Sequence, residues 1–299
     1  MGPGPSVHGG RSAGMSGGPP WRIAVQSNPF PRPARILDAI AHVAKGLGWS
    51  VACWRWPAEI PLAVERVVCW NGSSGCYAQW AILDTWRYAE IGWIGSDSLQ
   101  VNRGGVNGKA EWAADQPRLP AGPPYIPALP GYLLVLLQDD AYIRAAQVCP
   151  WFANDAAWLT HLARWSCLPV RVRAHPAKAP TEAAAWTVHD SPNMQWDTSP
   201  TCEAALAGAA GVAVISSAGG VAAMRMGRPL LCYGKALYRR PYAVWCMTGS
   251  PILTYVRTMQ LSRWHCDLSR RAVHAVLRNL WRRQCRLADL PRRLPDLMA

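Results

Sequence analysis

Three polar signals in this chain stand where apolar runs end, and each is a residue type that does chemistry at a strand end. Ser216-Ser217 follows the run Gly211 to Ile215 and leads into Gly219-Gly220. His175-Pro176 closes Val170 to Ala174, and Glu90-Ile91-Gly92 stands in a third apolar run. Hydroxyls and glycines at the start of a helix present N–H donors and the positive end of a dipole, a setting that favours an anion. An imidazole at the same sheet edge is able to donate to a phosphate, and a partly desolvated carboxylate is able to serve as general base. Each signal also has a plain structural reading. Ser and Gly supply ordinary turn chemistry, a histidine caps a strand, and a glutamate is solvated in a loop.

Other constellations carry less. Gly104-Gly105-Val106-Asn107-Gly108 is glycine-rich but lacks the Lys and Ser/Thr of a phosphate-binding Walker loop. Asp139-Asp140 fits a cation, or equally the N-cap of a helix over 141–147. His189-Asp190 has no nucleophile at a recognisable spacing, and no Gly-x-Ser-x-Gly elbow is present. The ten cysteines show no Cys-x-x-Cys pair and sit mostly in apolar runs, as Cys53, Cys69, Cys167 and Cys232 do. That usage suits a reducing, cytoplasmic setting without a disulfide framework or a zinc site, and no metal or other cofactor is expected.

The elements that must position these residues read as two strand–helix sets. In the first, Arg22 to Gln26 is a strand, Ile36 to Leu47 repeats at helical spacing, and Ser50 to Trp54 and Arg66 to Trp70 are strands. A helix is expected from Tyr77 to Tyr88, a strand from Ala89 to Ile94, and another from Ser98 to Asn102. The second set opens with Tyr132 to Gln138, continues with a helix around Trp158 to Trp165, and reaches the strand that ends at His175. Thr187 to His189 reads as a weak strand and Cys202 to Gly208 as a short helix. The strand–turn–helix–strand unit of Gly211 to Gly234 follows.

A proline-rich passage separates the two sets, since proline this dense fits neither sheet nor helix. The expected division is a disordered leader at 1–20, a first Rossmann-like domain at 21–116 and a linker at 117–130. A second Rossmann-like domain follows at 131–265, then a basic amphipathic helix and tail at 266–299. The fold class is α/β, two Rossmann-like domains facing a cleft.

At 299 residues with half of them hydrophobic, the chain is long enough to bury such cores. Its formal charge of +13 suits nucleic acid, an anionic membrane surface or a phosphorylated substrate. From Arg257 to Ala299 ten arginines face only Asp267, Asp289 and Asp296. Val273, Val276, Leu277, Leu280 and Trp281 form one face of a helix there, with Arg271, Arg278, Arg282 and Arg286 largely off it. That helix either rests on an anionic membrane or packs its apolar face on the protein body. No apolar run reaches the roughly 18 residues of a membrane span.

Taken in order, these residues resemble the capsule polysaccharide biosynthesis proteins that include bacterial Kdo transferases. The resemblance runs from about Arg66 to Tyr238. It rests on Glu90-Ile91-Gly92-Trp93 before the turn Val101 to Asn107, and on Tyr132 to Asp140 with Ile143. It continues through Val170 to Pro176, Ser216-Ser217, and Gly227 to Tyr238. Asn102 departs from the pattern, standing where an acid is expected.

The resemblance implies a GT-B fold with the acceptor on the first domain and a nucleotide sugar on the second. It implies that His175, Pro176, Ser216 and Ser217, with the helix start at Gly219 and Gly220, hold the donor phosphate. Glu90 is then the acidic catalytic residue, and Asn107, Gln138 and Tyr238 are candidate donor or acceptor contacts. The expected activity is metal-independent transfer of a sugar, Kdo or a related acidic sugar, from a CMP-linked donor. The acceptor is a surface polysaccharide or lipid-linked glycan at the inner membrane face. Two other readings stand beside it: a non-catalytic, Arg-rich nucleic-acid-binding protein, and another GT-B enzyme such as a nucleotide-sugar epimerase.

Overall fold

A computed structural model describes residues 21–28, 31–54, 64–70, 86–91, 98–102, 131–138, 148–176, 178–240, 243–261 and 267–298. The leader at 1–20, the 77–85 part of the expected helix, Asn107 and its glycine turn, the 117–130 linker and Asp139-Asp140 with 141–147 lie outside these residues.

The first sheet contains β1 (Arg22–Gln26), β2 (Ser50–Trp54), β3 (Arg66–Trp70), β4 (Trp86–Ile91), β5 (Ser98–Asn102) and β12 (Gln284–Arg286). Its order is β12-β5-β4-β3-β1-β2, with β1 to β4 parallel and the β4–β5 and β5–β12 pairs antiparallel. Helix α1 (Pro31–Gly46) buries Ile36, Leu37, Ile40, Ala41 and Ala44 against Ile23, Val25, Val68 and Ala89. That spacing of three and four residues is the apolar stripe read in the sequence.

The second sheet is parallel throughout and contains β6 (Tyr132–Leu136), β7 (Val170–Arg173), β8 (Met194–Trp196), β9 (Ala209–Val214), β10 (Leu230–Cys232) and β11 (Trp245–Cys246). Its order is β11-β10-β9-β6-β7-β8. Successive strand residues point to opposite faces, and both faces are covered. Leu134, Leu136, Val212, Val214 and Leu230 pack on the side of α4 (Cys202–Ala207) and α5 (Gly219–Arg225). Leu133, Val135, Val172, Ala213, Leu231 and Tyr233 pack on the side of α2 (Asp155–Trp165) and α3 (Glu182–Asp190). Helix α6 (Pro251–Met259) also lies against α2.

Two local expectations are corrected. Thr187 to His189, read as a strand, belongs to α3. Thr181 caps that helix by accepting from Ala184 N at 3.2 Å, and the alanines after it favour a helix over one short β-branched run. Trp86 to Tyr88, read as the end of a helix, is part of strand β4, because its backbone pairs with Val67 to Cys69 of β3.

The last part of the chain serves both sheets. Helix α7 (Asp267–Arg282) buries Val276 and Leu280 in the core of the second sheet, with Val273 and Leu277 partly covered. Four of the five stripe residues are thus covered within the protein, and the fifth, Trp281, is 55% exposed. The chain then returns to the first sheet. β12 pairs with β5, and α8 (Leu290–Met298) buries Leu290, Leu294, Leu297 and Met298 in the core that holds α1.

Candidate functional site

Strand order reverses beside β6. The chain lays β7 and β8 on one side of it, then crosses to lay β9, β10 and β11 on the other. In open parallel sheets the carboxyl edge at such a reversal is where ligands bind. Register makes the coincidence at this edge specific. Leu136 on β6 is in register with both Arg173 on β7 and Val214 on β9. Gln138, His175 and Ser216 each stand two residues beyond that row. Three residues picked from separate parts of the sequence thus end adjacent strands at one level.

Gln138 and Ser216 are joined. The Ser216 N–H donates to Gln138 Oε1 at 2.7 Å, and Gln138 Nε2 donates to Ser216 Oγ at 3.2 Å. Ser216 is buried at 8% exposure, so its backbone and hydroxyl are committed to holding the loop. Ser217 is more open, and its Oγ accepts from Gly219 N at 3.2 Å. Gly220 N donates to the Ser217 carbonyl at 2.9 Å. Both glycine N–H groups are therefore satisfied within the loop. An anion that took the Gly219 N–H would displace a long bond and release the Ser217 hydroxyl to donate as well.

The glycines are also dictated by packing. A Cβ on Gly219 would lie 2.4 Å from Leu136 Cδ1, and one on Gly220 would lie 2.5 Å from the Tyr238 hydroxyl. Helix α5 thus starts directly against the end of β6. Tyr238 is 1% exposed and donates to the Ser217 carbonyl at 2.5 Å. Its place is beneath the loop, as a support for Ser217, and burial raises its phenol well above the ordinary value.

His175 is half-buried and Pro176 exposed, in a turn where Lys178 N donates to the His175 carbonyl at 3.2 Å. The strand end that carries them is pinned from the neighbouring strand. Arg173 Nη1 lies 2.5 Å from Asp197 Oδ2 and 2.9 Å from the Ser199 carbonyl, and Ser199 Oγ donates to Asp197 Oδ1 at 2.7 Å. Burial pushes the Asp197 carboxyl up, but the Ser199 and Arg173 hydrogen bonds outweigh it and hold it below the usual range.

Glu90 stands in β4 opposite Gln100, one residue past the Trp70–Ala89 pair and thus at the carboxyl end of the parallel part of the first sheet. That edge has a clasp of its own. Gln26, which ends β1, accepts from Trp70 N at the end of β3 with its Oε1 at 2.8 Å. Strand order reverses there too, since β2 lies on one side of β1 and β3 on the other. Sequence reasoning passed over Gln26, Arg173 and Asp197. A signal for the first was present, because RIAVQ and YLLVLLQ both end apolar runs in glutamine.

No protein-family model and no curated protein matches the sequence. Solved structures do. The chain is similar to a Thermosulfurimonas dismutans KpsC β-Kdo 2,7-transferase at TM-score 0.52 and 12% identity, over 94% of this chain and 100% of that one. A Thermosulfurimonas dismutans KpsC β-Kdo 2,4-transferase aligns at TM-score 0.48 and 14% identity, over 85% and 89% of the two chains. CalG4, the calicheamicin glycosyltransferase, aligns at 0.38 and 12%, over 91% and 61%. The likeness is one of fold: the chain has a GT-B fold with two Rossmann-like domains.

Proposed function

We propose that the chain is a glycosyltransferase that takes a sugar, Kdo or a related acidic sugar, from a CMP-linked donor. The acceptor is a surface polysaccharide or lipid-linked glycan at the inner membrane face. The observation that carries this reading is the row of Gln138, His175 and Ser216 at the strand-order reversal of the second sheet, in a chain with a GT-B fold.

In this reading the donor phosphate sits over Ser217 and the Gly219-Gly220 start of α5, with His175 and Pro176 beside it and Ser216 and Gln138 fixing the loop. The bond from the anomeric carbon to the phosphate oxygen breaks, and the CMP leaves with the electron pair. Donation from His175 and Ser217 and the α5 dipole meet the developing charge without a metal ion. The acceptor hydroxyl oxygen forms the new bond, and Glu90 takes its proton.

A thermal-shift screen against CMP, UDP, GDP and ADP tests the donor class. A shift with CMP alone is expected, and no shift with any nucleotide would sink the reading. Glu90→Gln should abolish transfer while CMP still binds. His175→Ala should weaken CMP binding by about 1.5–3 kcal/mol, as for a lost charge-assisted hydrogen bond. Salt-sensitive DNA binding without any nucleotide shift would favour a nucleic-acid-binding protein instead, and free epimerised sugar formed without acceptor would mark an epimerase.

A further inference from the structure

Helix α6 is amphipathic the wrong way round for a core helix. Its buried positions are Thr254 at 0% and Thr258 at 2% exposure. The Thr254 hydroxyl lies 2.8 Å from His161 Nε2 and 3.0 Å from the Tyr233 hydroxyl, and Thr258 Oγ1 accepts from Cys167 N at 3.3 Å while donating to the Thr254 carbonyl at 2.9 Å. The outward face is apolar. Ile252 is 76% exposed, Tyr255 47%, Val256 36% and Met259 56%. Spacing of three, four and seven residues makes these one continuous stripe. Trp151, 46% exposed, extends it at the helix start, where its Cβ lies 3.4 Å from the position of a Cβ on Gly249. Trp186 and Trp281, the other exposed tryptophans among the described residues, stand on α3 and α7 without such a stripe.

Basic residues stand around the stripe. No acid occurs between Glu203 and Asp267, a stretch that holds seven arginines and lysines. Lys235 is exposed and its N–H bonds the Val148 carbonyl, three residues before Trp151. Arg164 is exposed on α2, which packs beside α6, and the acid of α2, Asp155, is buried. Arg257 on α6 itself lies over the Trp245 ring at 5.3 Å and donates to Gln260 Oε1.

We infer that the outward face of α6, with Trp151, seats the protein on an anionic lipid surface. Apolar side chains flanked by Trp, Tyr and cations match the chemistry of a helix lying in a bilayer interface beside acidic headgroups. A second copy is a poorer occupant, because two such faces would bring Arg164, Lys235 and Arg257 of both copies together. The start of α6 lies at the carboxyl edge of the second sheet, since it follows β11 and adjoins Trp151, three residues after the Val148 that bonds Lys235 beyond the end of β10. The seated face thus borders the edge that carries Gln138 and Ser216. The inference rests on the reading above for an acceptor at a membrane, and names the surface that meets it.

The test is co-sedimentation of the full chain with phosphatidylcholine vesicles, with and without phosphatidylglycerol, at low and high salt and without donor or acceptor. Binding is expected only with phosphatidylglycerol and should weaken at high salt. Ile252→Glu combined with Met259→Glu should lower it about tenfold or more, and Trp281→Ala on α7 should leave it unchanged. Ile252→Ser with Met259→Ser, which adds no charge, should lower it by a smaller factor. CMP-induced thermal shifts separate the two proposals: a chain that binds CMP but not vesicles overturns the membrane face alone. Equal binding to both vesicle types, unchanged binding in both α6 variants, or a dimer abolished by those variants would each overturn it as well.

Discussion

Gln138 and Ser216 are 78 residues apart in sequence, yet the Gln138 side-chain carbonyl accepts the Ser216 N–H at 2.7 Å across the point where strand order reverses. The contact fixes the first residue of the loop that ends in α5. Gln138→Leu should leave a buried N–H without its acceptor and cost about 1–3 kcal/mol in urea unfolding. Gln138→Glu keeps an acceptor and should be the more stable of the two variants. It adds a negative charge beside the proposed phosphate site, so its CMP affinity should be the lower. The reverse ranking in affinity would remove the anion from this edge.

Gly220 and Tyr238 form a second coupled pair. Gly220→Ala places a methyl 2.5 Å from the Tyr238 hydroxyl and 2.6 Å from Cζ, in a site where the ring is fully packed. Overpacking of this kind costs about 1–3 kcal/mol. Tyr238→Phe removes the bond to the Ser217 carbonyl and should cost about 1 kcal/mol. Thermal melts of the single and double variants measure the coupling. Strict additivity would mean that the two residues do not share one packing constraint.

Acid should unfold the second sheet in two stages, and the earlier belongs to His161. Burial holds its imidazole below the ordinary value, so the folded protein prefers the neutral ring. The unfolded chain then binds the extra proton first. Stability is complete above about 6.5, the unfolded value, and declines as pH falls from there toward the folded value. His161→Gln should flatten that part of a plot of Tm against pH while leaving neutral-pH stability lower. An unaltered slope would place the proton elsewhere.

The later stage belongs to Asp197. Its carboxyl is held below the ordinary range, so its contribution is present above about 4 and is lost as pH falls through the folded value. The Asp197 side chain is fully buried while Arg173 is 23% exposed. Asp197→Ala should therefore cost about 3 kcal/mol at neutral pH, near the lower end for breaking a buried pair. It should also loosen the strand end that carries His175, read as weaker CMP binding. Wild-type affinity in a destabilised variant would separate the ion pair from the site.

The sequence by itself determined the strands that carry the site and their chemical ends. GVAVI before Ser216, VRVRA before His175 and YLLVLLQ up to Gln138 are short apolar runs whose limits are set by local chemistry, and all appear as strand ends. Local reading failed where the pattern was too short to fix a type. β11 has two residues and β12 three, and each exists because a neighbouring strand offers its backbone. Only the tertiary structure placed Gln138, His175 and Ser216 in one row, because parallel register is a long-range property that no local residue encodes. It alone returned Gln284–Arg286 to the first sheet. The direction of α6 was also decided there: periodicity shows that Ile252, Tyr255, Val256 and Met259 share a face, while the hydroxyl partners Tyr233 and His161, close to Thr254 only in the fold, turn that face outward.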